Sequence, residues 1–111
     1  MDNKTIIKEF YRRFFNEHDI DSALEYVRED YIQHNPGVEQ GRQALMDAFR
    51  EKFLHESDFH LNIVKIILED DMVAVYLKNV GKDGKTKCRV VDIYRIENGK
   101  LAEHWDVLQP C

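Results

Sequence analysis

The sequence predicts an α+β fold with helices first and strands afterwards, and three observations carry that reading. Apolar residues recur every three or four positions through the first half. The second half divides into four runs rich in Val, Ile and Tyr, and Asp83-Gly84 and Asn98-Gly99 separate runs of that half as tight turns. At 111 residues the chain has the length of one domain. No repeat, linker or low-complexity stretch divides it, so residues 1–111 are read as a single unit.

The elements follow in order. Ile6, Ile7, Phe10, Tyr11, Phe14 and Phe15 form one broad apolar stripe of a first helix, and Asp2 or Asn3 can accept backbone N–H bonds at its start. A short second helix is expected after Asp21, with Ser22 and Glu25 spaced as a capping box and Leu24 and Val27 facing inward. A short extended piece, residues 30–37, then ends in a Pro-Gly turn. The third helix opens after Gly41 and sets Leu45, Ala48, Phe49 and Phe53 on one side. Four strands follow, at residues 59–68, 72–80, 86–96 and 101–108, joined as an antiparallel meander by Asp70-Asp71, Asp83-Gly84 and Asn98-Gly99.

Composition narrows the function. Sixteen basic residues against 21 acidic give a formal net charge of −5, a poor basis for neutralising phosphates, so no nucleic-acid partner is expected. The longest apolar runs fall far short of the roughly 20 residues of a membrane helix, and the N-terminus lacks the apolar stretch of a signal peptide. A soluble cytoplasmic domain is the expectation. Cys88 and Cys111 form no CxxC pair and are expected as thiols. No Gly-rich phosphate loop, Gly-x-Ser-x-Gly elbow, HxH or HExxH spacing occurs, so neither cofactor nor metal is expected.

Hairpin arithmetic sorts the strand residues into two faces. With two-residue loops, one face collects Val64, Ile66, Leu68, Val73, Val75, Leu77, Val90, Tyr94, Ile96, Leu101 and Trp105. The other collects Leu61, Ile63, Lys65, Ile67, Ala74, Tyr76, Lys78, Arg89, Val91, Ile93 and Arg95. The first is the more apolar and belongs against the helices. Asp92 falls on it, opposite Val75. A buried carboxylate must be paired, neutralised or turned to a lined cavity, because burying it alone costs several kcal/mol. Asp92 is therefore either a structural residue bonded to a backbone group or a tyrosine hydroxyl, or an acid–base candidate. Strict register puts His104 and Asp106 on the opposite face. One β-bulge between Leu101 and His104 would swing both inward and turn Trp105 outward, and such a bulge is predicted. His34, in the extended piece, is either a structural histidine or a further residue of the same cavity.

Two segments carry a resemblance. Tyr31-Ile32-Gln33-His34-Asn35-Pro36, followed by Gly41, and Val91-Asp92-Ile93-Tyr94-Arg95, followed by Asn98-Gly99-Lys100-Leu101 and Glu103-His104-Trp105-Asp106, resemble SnoaL-like proteins of the NTF2-like superfamily. The resemblance implies an NTF2-like cone, with three N-terminal helices packed on a strongly curved, mainly antiparallel sheet around an apolar pocket. It also implies a homodimer formed through the outer sheet face. The polyketide cyclases of that group close a ring by intramolecular aldol condensation without cofactor or metal, using an acidic residue on the last strand. Asp106 matches that position, and Asp92 matches a cavity position where the cyclases carry histidine. The candidate catalytic residues are thus Asp106, Asp92, His34 and His104, with Asn35, Tyr94, Tyr76 and Trp105 as candidate ligand contacts. The leading expectation is a cofactor-independent enzyme moving a proton next to a carbonyl of a small apolar molecule. The alternatives are a non-catalytic ligand-binding or dimerisation module, and a hydrolase or dehydratase in the same pocket.

Overall fold

The computed structural model describes residues 1–35 and 37–109; Pro36, part of the expected Pro-Gly turn, and Cys111 lie outside them. Helix α1 (Asn3–Phe10) starts where the Asp2 carboxylate accepts the Thr5 N–H at 2.8 Å, satisfying one of the N–H groups that a helix start leaves unpaired. It continues directly into a π-helical turn, Tyr11–Asn16. Such turns add a residue to the helix and re-aim the side chains beyond it. All six stripe residues are nonetheless buried.

Helix α2 (Ala23–Tyr26) is shorter than the capping-box reading implies. The Ser22 hydroxyl donates to the Asp19 carbonyl at 2.7 Å and caps nothing, and Leu24 is exposed. Val27 is buried, but as the first residue of strand β1 (Val27–Gln33). Helix α3 (Arg42–His55) opens after Gly41, whose φ of +95° is one that glycine alone adopts freely. Leu45 and Met46 are buried, and Phe49 and Phe53 pack on the core. An edge-on aromatic network ties α1 to α3 and to the approach to the sheet. Phe14 and Phe15 lie 5.4 and 5.1 Å from Phe49, which lies 6.1 Å from Phe59.

The strands are β2 (Leu61–Glu69), β3 (Met72–Val80), β4 (Thr86–Glu97) and β5 (Lys100–Gln109), in the spatial order β1-β5-β4-β3-β2. The expected meander is present, and the extended piece joins it as a fifth strand, parallel to β5. Asp70 and Asn98, both at positive φ, close two of the hairpins. The third hairpin has a longer loop than Lys82 opposite Lys85 implies. Gly81 and Lys85 close it, and one extra residue on β4 restores the register, so that Asn79 faces Cys88 and Val75 faces Asp92.

Two further bulges decide which residues face the helices. In β5, Leu101 pairs with Ile96 and Glu103 with Arg95, leaving Ala102 as the extra residue. This is the predicted bulge, and it brings His104 and Asp106 onto the inner face beside Asp92. In β2, Ile63 pairs with Leu77 and Lys65 with Tyr76, so Val64 is extra. That bulge overturns the face assignment of the first part of β2, where Leu61 is buried, Ile63 packs on the core and Val64 is exposed. Beyond it Ile66, opposite Val75, packs on the core as assigned, and Leu68, opposite Val73, is exposed at the end of the strand. The physical reason is composition: Ile63, Val64, Ile66 and Ile67 offer apolar side chains to both faces, so the sequence pattern leaves the register open.

Candidate functional site

Between the inner face of the sheet and helices α1 and α3 lies a cavity of about 320 Å³, within the size range of small-molecule sites. Phe10, Phe15, Phe49, Phe59, Leu45 and Leu77 contribute its apolar walls. Its polar wall comes from β1 and the turn after it, β4 and β5, where Tyr31, Gln33, Asn35, Asp92, Tyr94, His104 and Asp106 face inward.

The network on that wall is continuous. His104 Nδ1 meets Gln33 Oε1 at 2.6 Å, and His104 Nε2 meets Asp92 Oδ1 at 2.9 Å. The glutamine oxygen only accepts, so Nδ1 carries a proton, and Nε2 and the Asp92 carboxyl hold a second proton between them. The other Asp92 oxygen accepts from the Tyr11 hydroxyl. Tyr11 has one proton to give, so Tyr94, 2.8 Å away, donates to the Tyr11 oxygen in turn. Asp92 and His104 are both buried, and every polar atom of the pair has a protein partner. Burial raises the Tyr11 and Tyr94 hydroxyls well above the ordinary tyrosine range, and the neighbouring Asp92 charge adds to the effect. Both remain protonated donors.

Asp106 differs. It faces Asp92 across the β4–β5 ladder, and Asn35 donates to its Oδ2 at 3.1 Å. Among the described residues nothing bonds its other oxygen, and the group is only partly buried. Asp92, His104 and Asp106 bring ligand-type atoms within 4.8 Å of one another. For all three to ligate a cation, His104 Nε2 would have to give up its bond to Asp92.

Four of the eight candidate residues, Asp92, Tyr94, His104 and Asp106, converge on this wall, and Asn35 joins them. The other three do not. His34 points to the opposite side of the sheet, where its ring stacks on Trp105 at 4.7 Å and 2° and its Nε2 meets Glu103 at 2.6 Å. Side chains alternate along a strand, so with Gln33 and Asn35 inward His34 must face out. Trp105 is turned outward by the same bulge that brings its neighbours in. Tyr76 lies on the outer face beside Arg89, Val91 and Val107. Gln33, Tyr11 and Tyr31 were not among the candidates. A signal for Tyr11 exists in the sequence, since a tyrosine inside a buried apolar stripe needs a partner for its hydroxyl.

A family model for the SnoaL-like polyketide cyclases matches residues 5–110. TsrD from Streptomyces laurentii superposes with a TM-score of 0.79 at 22% identity, covering 98% of this chain and 91% of that one. A candidate polyketide cyclase from Acidithiobacillus ferrooxidans gives 0.84 at 17% identity, over 98% and 92%. AclR, a candidate hydroxylase from Streptomyces galilaeus, gives 0.76 at 19% identity, over 96% and 87%. At these identities the likenesses establish the fold, an α+β arrangement of three helices on a curved five-stranded sheet. No curated protein sequence matches the chain.

Proposed function

The chain belongs to the SnoaL-like polyketide cyclase family, as a small-molecule-binding NTF2-like protein, and we propose that its cavity carries out cofactor-independent acid–base chemistry on a small, mostly apolar carbonyl compound. The observation that carries the reading is Asp106. One of its oxygens is fixed by Asn35, and the other is left for a ligand in an apolar cavity, beside the buried His104–Asp92 pair.

Asp106 is then the base. It takes a proton from the carbon next to the carbonyl; the C–H pair becomes a carbon–carbon double bond and the carbonyl π pair moves to oxygen. Returning the proton to a different carbon completes an isomerisation; in the alternative course the enolate carbon attacks a second carbonyl, whose π pair moves to its oxygen as the ring closes, and that alkoxide takes the proton from Asp106. The step needs a base and hydrogen-bond donors around the developing charge, all of which side chains can supply. Asp92 and His104 act as positioning groups that fix the polar wall.

The test is deuterium exchange at the α-carbons of a panel of aryl and cyclic ketones, followed by NMR in D2O. The expected result is catalysed exchange that falls about 100-fold or more in Asp106→Asn with the fold retained. Exchange that is unchanged in Asp106→Asn overturns the assignment.

A second reading, a ligand-binding module without turnover, draws on the saturation of Asp92 and His104 by protein partners; it predicts ligand binding with no exchange above the solvent rate. We further propose a homodimer through the outer face, where Val91, Ile93 and Val107 are flanked by Arg89 and Arg95. Sedimentation equilibrium at the mass of one chain would exclude it.

A further inference from the structure

Tyr31 stands apart from the other buried polar groups. Its side chain is 2% exposed and lines the cavity, and its ring lies over His104 at 6.4 Å and 19°, on β1. Tyr11 and Tyr94 spend their hydroxyls on Asp92 and on each other. The Tyr31 hydroxyl makes no hydrogen bond among the described residues. No fully enclosed side-chain nitrogen or oxygen of those residues lacks a partner, so this oxygen opens onto the cavity space. An oxygen open to the cavity can be met by solvent, and a ligand oxygen that displaces that solvent takes over its hydrogen bond. Burial, and then the charges of Asp92 and Asp106, raise the group well above the ordinary tyrosine range, so it enters any such bond as the donor.

We propose that Tyr31 is the anchor for the ligand's carbonyl oxygen, holding an aryl or ring ketone with its adjacent carbon toward Asp106. The proposal rests on the carbonyl reading given above and adds the residue that orients the substrate. The Asp106 carboxylate on the same wall repels an anionic head group, the Asp92 charge being offset by the proton it shares with His104, whereas a neutral carbonyl accepts from Tyr31 and gains hydrogen-bond stabilisation as charge develops on its oxygen. Tyr31 keeps its proton throughout, and Asp106 is the group that gains and returns one.

The test uses two probes of matched shape, 2-acetylnaphthalene and 2-isopropenylnaphthalene, which differ in having or lacking the acceptor oxygen. Equilibrium binding is measured for the unmodified protein, Tyr31→Phe and Asp106→Asn. The preference for the ketone over the alkene is expected to fall about tenfold in Tyr31→Phe, the worth of one hydrogen bond, and to persist in Asp106→Asn. In the unmodified protein labelled with [13Cζ]tyrosine, the Tyr31 signal is expected to shift with the ketone and to stay in place with the alkene. An unchanged preference in Tyr31→Phe, or a Tyr31 signal that responds to both probes alike, overturns the anchor while leaving the Asp106 assignment to its own exchange assay. Failure of both probes to bind the unmodified protein overturns the anchor and the carbonyl pocket together.

Discussion

The edge of the sheet where β1 meets β5 carries two histidine–carboxylate pairs, one on each face, and they differ in nearly everything except residue type. On the inner face, His104 meets Asp92 at 2.9 Å, with both side chains less than a tenth exposed and the remaining polar atoms bonded to Gln33 and Tyr11. On the outer face, His34 meets Glu103 at 2.6 Å, with His34 40% exposed, its ring flat on Trp105 and Glu103 shared with Arg95 at 3.1 Å. The same chain segment feeds both, since Gln33 and Asn35 turn in and His34 turns out. A histidine beside an acid is therefore no sign of a site by itself. Enclosure, and an atom left open to a cavity, separate the inner pair and its neighbour Asp106 from the outer pair.

The comparison breaks most visibly at His104. Replacing it with Ala leaves the buried Asp92 carboxyl without its charge partner, and such losses cost about 3–5 kcal/mol. Denaturant unfolding should show that drop.

Alkaline titration comes next. Tyr11, Tyr31 and Tyr94 are all raised well above the free value of 10.0. The folded state therefore binds their protons more tightly than the unfolded state does. That contribution is complete below pH 10 and is lost as pH climbs above it. Tyrosinate absorbance from these three should appear together with loss of the circular-dichroism signal. Their ionisation with the fold intact would contradict the burial that raises all three.

The smallest effect is expected on the outer face. His34→Ala should change stability by about 1 kcal/mol or less, because exposed ion pairs are screened and entropically costly. High salt should shrink that difference further while leaving the His104→Ala difference nearly unchanged. A large, salt-independent loss at His34 would erase the contrast between the faces.

How much of this was legible in the sequence depends on how one-sided each element is. The bulge in β5 was, because Asn98-Gly99 fixes the hairpin and a strictly regular strand would have turned His104 and Asp106 away from Asp92. The bulge in β2 was not, because a strand apolar on both faces gives alternation nothing to select. The outward turn of His34 is not legible for a related reason: the seven-residue strand just before it, of mixed polarity, does not announce which face is buried. The first helix shows the opposite case. Its stripe was plain, but the hydroxyl within it was treated as core, and the π-helical turn that presents Tyr11 to Asp92 has no signature in residue spacing. The fold was thus largely written in periodicity, whereas the polar wall depended on side-chain direction at single residues, which periodicity specifies weakly.

The most direct test of the central claim, that the inner pair and Asp106 form one ligand site and the outer pair does not, is an NMR titration of histidine-labelled protein with 2-acetylnaphthalene, observing the imidazole nitrogens. The account predicts that the His104 nitrogens shift in a saturable way while those of His34 stay still. Shifts at His34 with none at His104 would place the ligand on the other side of the sheet and contradict it.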